Sequence, residues 1–329
     1  MIYNNVELYN ITAIEDTGSA LKLSRVPLSL HKTVTENASS MLFTPAGGEI
    51  RFNLVEGPVK ITLRSEGPFV NVAEVWRGAF ADSVHDIRGV PTEIIVEPRT
   101  NDKTLTTMFA QDSLAFHPEL VRVILPYGWP CELISIEGET TCPVPAQSPV
   151  RRMLTYGSSI TQGGNSVTPT GTYAARTASL LNVDLINLGM SGNARMDMSL
   201  AEYIATNPNW EFATIEMGIN VLDWSVELFA EKVDAFVTNI ATANPDKWIF
   251  CTGVYTCGGD YEENSKIHAF RKIVETQVQK LDQRKLVFVP PSEILPTAAG
   301  LTADTVHPSV IGHETMARNW ARVIKSYIK

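Results

Sequence analysis

Met153-Leu154-Thr155-Tyr156-Gly157-Ser158-Ser159-Ile160-Thr161-Gln162-Gly163 is the stretch that decides how this chain is read. Met153 to Tyr156 suit a buried strand, and the strand gives way at Gly157-Ser158-Ser159. Such a turn sets a hydroxyl and its backbone N–H on the carboxyl edge of a sheet. A serine there is a poor nucleophile unless a base lies in hydrogen-bond reach and donors face the oxyanion. Alone, Gly157-Ser158-Ser159 is more often an ordinary polar turn, because Gly and Ser are common in turns.

Downstream of it, strands alternate with helices. Helical spacing runs from Thr172 to Leu181, around Leu200, from Val226 to Ala243, through Phe270 and Val274, and from Ile311 onward. Strands are expected at Asp184–Asn187, Ala213–Glu216, Trp248–Phe250 and Leu286–Val289, five with the first. This alternation predicts a parallel five-stranded sheet covered by helices on both faces. Ligands of such sheets bind beyond the carboxyl ends of the strands.

Three further segments fall at that edge. Ser191-Gly192-Asn193 follows the second strand, and the Gly192 N–H can approach a substrate oxygen. Gly218-Ile219-Asn220 follows the third, where the Asn220 amide can donate to the same oxygen. Asp304-Thr305-Val306-His307 precedes the last helix. His307 suits a base, and Asp304, three residues earlier, suits the carboxylate that orients it. Each has a plainer reading: loop residues at Gly192 and Asn220, a capping aspartate beside a surface histidine at the end. Convergence of all four on one sheet edge favours the chemical reading.

The same four segments resemble, in order and spacing, the SGNH (GDSL-type) hydrolase superfamily. Tyr156-Gly157-Ser158-Ser159-Ile160-Thr161-Gln162-Gly163 is similar to the nucleophile block, with Ser159 in the nucleophile's place and Ser158 where an Asp is usual. Asn187 to Asn193, Gly218-Ile219-Asn220 and Asp304 to Pro308 are similar to the remaining blocks. The resemblance covers roughly residues 150–329. It implies a Ser159–His307–Asp304 triad, an oxyanion hole from Ser159 N–H, Gly192 N–H and Asn220, and neither a metal nor an organic cofactor.

The first half has another rhythm. From about Glu49 to Glu137 apolar residues alternate with polar ones, as in Val59-Lys60-Ile61-Thr62-Leu63-Arg64, Val121–Leu125 and Glu132–Ile136. Gly57-Pro58, Gly67-Pro68, Gly89-Val90-Pro91 and Gly128-Trp129-Pro130 read as turns. Short strands with regular turns predict an N-terminal all-β sandwich of jelly-roll type. The uncharged, Pro-rich Pro143–Pro149 reads as a linker, giving domains at 1–145 and 146–329. A β-domain before an SGNH domain resembles the layout of family 2 carbohydrate esterases. That layout implies a serine esterase removing small acyl groups, acetyl above all, from a carbohydrate or related alcohol. Trp224 is the tryptophan best placed to stack on a sugar, ahead of Trp76 and Trp129, although a core role is the commoner fate of Trp. Acyl transfer through the same acyl-enzyme is the alternative, and a noncatalytic carbohydrate-binding protein a third.

Composition narrows the partners. The 329 residues are 44% apolar and 19% charged, the balance of a chain with a sizeable core. A net charge of −9 disfavours nucleic acid, whose binding calls for a basic surface. The start lacks a basic segment followed by an apolar run, and no apolar run nears the span of a bilayer. The expectation is a cytoplasmic protein acting on a small-molecule ester such as an acylated saccharide, with no membrane partner. A homo-oligomer is left open. Cys131, Cys142, Cys251 and Cys257 read as reduced thiols. His307 and His313 are too far apart in sequence for a familiar zinc pattern.

Overall fold

The computed structural model describes residues 1–65, 67, 71–99 and 102–328. Its first half carries β1 (Ile2–Tyr3), β2 (Val6–Tyr9), β3 (Ala13–Asp16), β4 (Leu21–Ser24), β5 (Glu49–Arg64), β6 (Asn71–Arg77), β7 (Phe80–Ile87), β8 (Thr92–Val96), β9 (Val121–Ile124) and β10 (Glu132–Thr141). Every pairing among them is antiparallel. The long β5 is shared: Glu49–Phe52 pairs with β2 and β9, and Val59–Leu63 pairs with β8 and β10. Val59, Ile61 and Leu63 are fully buried, as their alternation requires.

Two expectations change here. The half is β-rich but not all-β, because α1 (Glu36–Leu42) and α2 (Asp102–Asp112) interrupt it. Thr35 starts α1 by accepting the Ala38 N–H on its side chain. Gly57-Pro58 is not a turn but lies inside β5. The strand is exposed at Pro58, and the pairing with β10 shifts register between Glu137 and Glu139, so a bulge absorbs the proline. The Gly89 and Gly128 turns are present, whereas Pro68 of the Gly67-Pro68 turn lies outside the described residues.

The second half carries β11 (Arg152–Gly157), α3 (Ser159–Gln162), α4 (Tyr173–Leu181), β12 (Asp184–Gly189), α5 (Met198–Thr206), β13 (Phe212–Glu216), α6 (Val226–Ala243), β14 (Trp248–Thr252), α7 (Ile267–Leu281), β15 (Leu286–Phe288), α8 (Pro291–Ile294) and α9 (Val310–Tyr327). The sheet is five-stranded and parallel, in the order β12-β11-β13-β14-β15. One apolar core, with Phe229, Phe236 and Phe270, fills the face under α5, α6 and α7. Another, with Tyr173, Met316 and Trp320, fills the face under α4 and α9. The chain leaves β11 for β12 on one side and reaches β13 on the other. That reversal opens a crevice beyond the carboxyl ends of β11 and β13, the usual ligand position in open α/β sheets.

Buried charges join the halves. Arg51 of β5 grips Asp184 at the start of β12 with both terminal nitrogens, at 2.7 and 2.8 Å. Glu49 accepts from Arg51 and Arg122, and this pairing outweighs burial to hold its carboxyl down at about 2. Arg25 donates to the Asn187 and Gly189 carbonyls at the far end of β12, at 3.0 and 2.8 Å. The Pro-rich connection is also pinned: Gln147 is buried and exchanges hydrogen bonds with Asn53.

Candidate active site

Ser158 and Ser159 stand at the carboxyl end of β11, where the first turn of α3 begins. Ser158 is the N-cap and is fully buried; its hydroxyl accepts the Ile160 N–H. A cap points its side chain back into the turn, so Ser158 is occupied and Ser159 is the serine turned outward. Ser159 Oγ lies 2.7 Å from His307 Nε2, and His307 Nδ1 lies 2.8 Å from Asp304 Oδ2. With Nδ1–H donating to the carboxylate, Nε2 is left to accept the serine proton.

The carboxylate is held by its own loop. Asp304 Oδ1 accepts the N–H groups of Val306 and His307, both at 2.9 Å. Partial burial pulls the other way, but these donors and the His307 ring keep the Asp304 carboxyl well below the usual carboxylate range. Gly164 packs against the far side of the ring: a Cβ there would come within 2.9 Å of His307 Cδ2. His313 of α9 fixes that glycine, donating from Nε2 to the Gly164 carbonyl at 2.8 Å while Nδ1 accepts the Tyr173 N–H at 3.1 Å. Burial and the nearby His307 push the His313 imidazole down to about 4 against the pull of the carbonyl, so it serves as a neutral strut.

The other expected oxyanion donors stand on the loops after β12 and β13. Asn220 Oδ1 accepts the Ala194 N–H at 3.1 Å, which leaves its Nδ2–H groups pointing away from that bond. Gln162 of α3 accepts the Ser191 N–H at 2.9 Å and so ties the Gly192 loop to the nucleophile turn. Gly192 is exposed, with φ +67° and open space where a Cβ would stand. Its glycine is thus explained by backbone conformation rather than by crowding. Among the described residues the Ser159 and Gly192 N–H groups have no acceptor.

Sequence reasoning named Ser159, His307, Asp304, Gly192 and Asn220, and the fold brings all five to one edge. The tryptophans fare differently. Trp224 packs on the apolar core and carries the Arg195 guanidinium 5.1 Å above its ring. Trp76 lines a cavity of about 260 Å³ between the halves, walled also by Phe116, Tyr127 and Gln162, which does not include Ser159. One partner went unread. Glu216, the last residue of β13, is 1% exposed and accepts the Ser158 N–H on Oε2 at 2.6 Å. A carboxylate closing the apolar run Phe212-Ala213-Thr214-Ile215 was the signal that could have flagged it.

Among the described residues no group of three His, Cys, Asp or Glu side chains is placed to hold a metal ion. All four cysteines are free, and burial pushes the Cys131 and Cys251 thiols up to about 12. No described helix is long and apolar enough to cross a membrane.

The model of the GDSL-like lipase/acylhydrolase family matches residues 150–325, more than half of the chain. The chain belongs to that family. No curated protein matches the sequence. Solved structures similar to this family member span both halves. A salicylyl-acyltransferase, SsfX3, from a tetracycline biosynthetic pathway shares 16% identity over 98% of this chain and 95% of its own, with a TM-score of 0.81. A protein described as a GDSL-like lipase from Bacteroides ovatus shares 19% over 98% and 97%, with a TM-score of 0.73. A family two carbohydrate esterase from Clostridium thermocellum, solved with cellohexaose, shares 16% over 85% and 92%, with a TM-score of 0.61. At such identities the likeness is one of fold.

Proposed function

We propose that this GDSL-family chain is a serine ester hydrolase acting through an acyl-enzyme. The observation that carries the reading is the unbroken relay from Ser159 Oγ to His307 at 2.7 Å and on to Asp304 at 2.8 Å. Ser159 Oγ attacks the acyl carbonyl as its proton passes to His307 Nε2. The developing oxyanion is received by the Ser159 and Gly192 N–H groups and the Asn220 amide. His307 then gives its proton to the leaving alcohol. Water, deprotonated by the same imidazole, releases the acid, and Asp304 keeps the ring in one orientation throughout.

Acetyl on a sugar or related alcohol is the substrate we favour, with the β-rich half, residues 1–145, as a jelly-roll-like accessory domain and 146–329 as the catalytic domain. Support for a carbohydrate ester is the two-part fold shared with the family two esterase. Trp224, beyond Asn220 in sequence, is the proposed sugar platform. We place the protein in the cytoplasm. Acyl transfer is the second reading, favoured by the acyltransferase fold neighbour. Transfer requires that water be kept from the acyl-enzyme. The exposure of Gly192 and of the Asp304 side chain, 44% accessible, weighs toward hydrolysis.

The test is turnover of nitrophenyl acetate, butyrate and octanoate by wild type and Ser159→Ala, with and without an added acceptor alcohol. Fastest release from acetate, lost in the variant and yielding free acid even with the alcohol present, is expected. New ester as the main product would move the function to transfer, and equal turnover by Ser159→Ala would remove the serine mechanism.

A further inference from the structure

Glu216 has no part in the relay, yet it sits directly behind the nucleophile. Its Oε2 accepts the Ser158 N–H at 2.6 Å and the Thr161 hydroxyl at 3.3 Å. The second acceptance ends a buried chain. Trp320 Nε1–H donates to the Tyr255 hydroxyl at 3.1 Å, and Tyr255 donates to the Tyr173 hydroxyl at 3.4 Å. Tyr173 in turn meets Thr161 Oγ1 at 2.8 Å. Each hydroxyl has one proton to give, so the run needs a pure acceptor at its end, and Oε2 supplies it. Oε1, by contrast, is buried with no partner among the described residues. Among the described residues no cation neighbours the group, and burial raises its pKa against the pull of its hydrogen-bond donors. Gly157 completes the fit: a Cβ there would stand 2.4 Å from Oε2.

The geometry points to Glu216 as a positioning residue for the nucleophile: by holding the Ser158 N–H it fixes the peptide that aims both Ser159 Oγ and the Ser159 N–H. The same side chain closes β13, the strand that leads through Met217 and Gly218 to Asn220. One carboxyl group thus locks the nucleophile turn to the strand presenting the oxyanion amide. What the site needs from position 216 is an acceptor at the right reach, not a negative charge. This inference rests on Ser159 being the nucleophile.

Two substitutions separate reach from charge. Glu216→Gln keeps the reach and removes the charge, while Glu216→Asp keeps the charge and withdraws the acceptor by one methylene. The readout is the rate at which a fluorophosphonate ester labels the full-length protein, with the labelled residue mapped by mass spectrometry. The probe's phosphorus bonds to Ser Oγ, fluoride leaves and the proton passes to His307, so the rate reports how well the serine is aimed without any natural substrate. Glu216→Gln should label within about threefold of wild type, and Glu216→Asp roughly 10- to 100-fold more slowly, the scale of a displacement near 1 Å at a reacting group. Both should keep the near-UV spectrum of the folded protein. Labelling of Glu216→Asp at the wild-type rate, or of Glu216→Gln as slowly as Glu216→Asp, overturns the inference while leaving Ser159 in place. Wild type labelled elsewhere than Ser159 overturns the nucleophile assignment, and this inference with it.

Discussion

The two sides of the catalytic edge are built in opposite ways. The nucleophile turn is buried and held from afar. Ser158 is 0% exposed, Glu216 grips it from 58 residues away, and Gln162 braces α3 against the Tyr127 carbonyl of the first half. Arg25 reaches from the first half to the carbonyls at the end of β12, just before the Gly192 loop. The base loop is nearly self-contained and half in water. Asp304 accepts from Val306 and His307 within three residues, with Asn165 Nδ2 adding a longer contact at 3.3 Å, and the His307 side chain is 27% exposed. The contrast teaches where precision comes from. The serine depends on the whole fold, whereas the Asp304–His307 unit carries most of its geometry in one short turn, with the Gly164–Asn165 loop packed beside it.

That contrast can be broken most sharply at the base. His307→Ala removes the imidazole bonded to Ser159 Oγ, and kcat should fall by about 10⁴-fold or more, leaving the roughly 10³-fold residue of binding and the oxyanion hole. Loss of under tenfold would mean that another base serves. On the nucleophile side the frame itself can be broken. Arg51→Ala strands the buried Asp184 without its bidentate cation, while Glu49 keeps Arg122, and urea unfolding should show a loss of about 3–5 kcal/mol, the usual consequence of removing one partner of a buried pair.

Asn220→Ala takes away one proposed oxyanion donor together with the acceptor of the Ala194 N–H, and leaves the Glu216–Ser158 and Asp304–His307 contacts in place. The expected loss is about 10²- to 10³-fold in kcat at nearly constant KM. His313 links the two sides, and its effect shows in pH. The unfolded imidazole takes up a proton near its ordinary value, while the folded one resists down to about 4. The unfolded state therefore binds more protons between about pH 6.5 and 4, and stability falls as pH drops through that window, by on the order of 3 kcal/mol. His313→Gln should flatten that part of the stability profile in urea titrations. The smallest effect is Ser158→Ala, which removes the cap and the hydroxyl's contact with Glu216: about 1 kcal/mol of stability, with turnover retained.

The same contrast explains what could be read from the sequence. Asp304 and His307 were legible because their interaction spans three residues. The five parallel strands and their helices were legible from the change of period, and α6 spans Val226–Ala243 as its apolar spacing requires. Glu216, Gln162 and His313 were not legible, because each acts across a distance that only the fold closes: 58 residues to Ser158, 29 to Ser191 and 149 to Gly164. The first half was read least well, since α1 and α2 lie between strands whose alternation drew the reading, and Gly57-Pro58 signals a bulge and a turn alike.

In the proposed mechanism Ser159, not its buried neighbour, attacks the substrate. The most direct test of that assignment is nitrophenyl acetate hydrolysis by Ser159→Ala and Ser158→Ala in parallel, with acyl-enzyme mapping by mass spectrometry. Turnover abolished in the first and kept in the second, with the acyl group on Ser159 in wild type, is the predicted result. Turnover kept in Ser159→Ala and abolished in Ser158→Ala, or an acyl group found on Ser158, would contradict it.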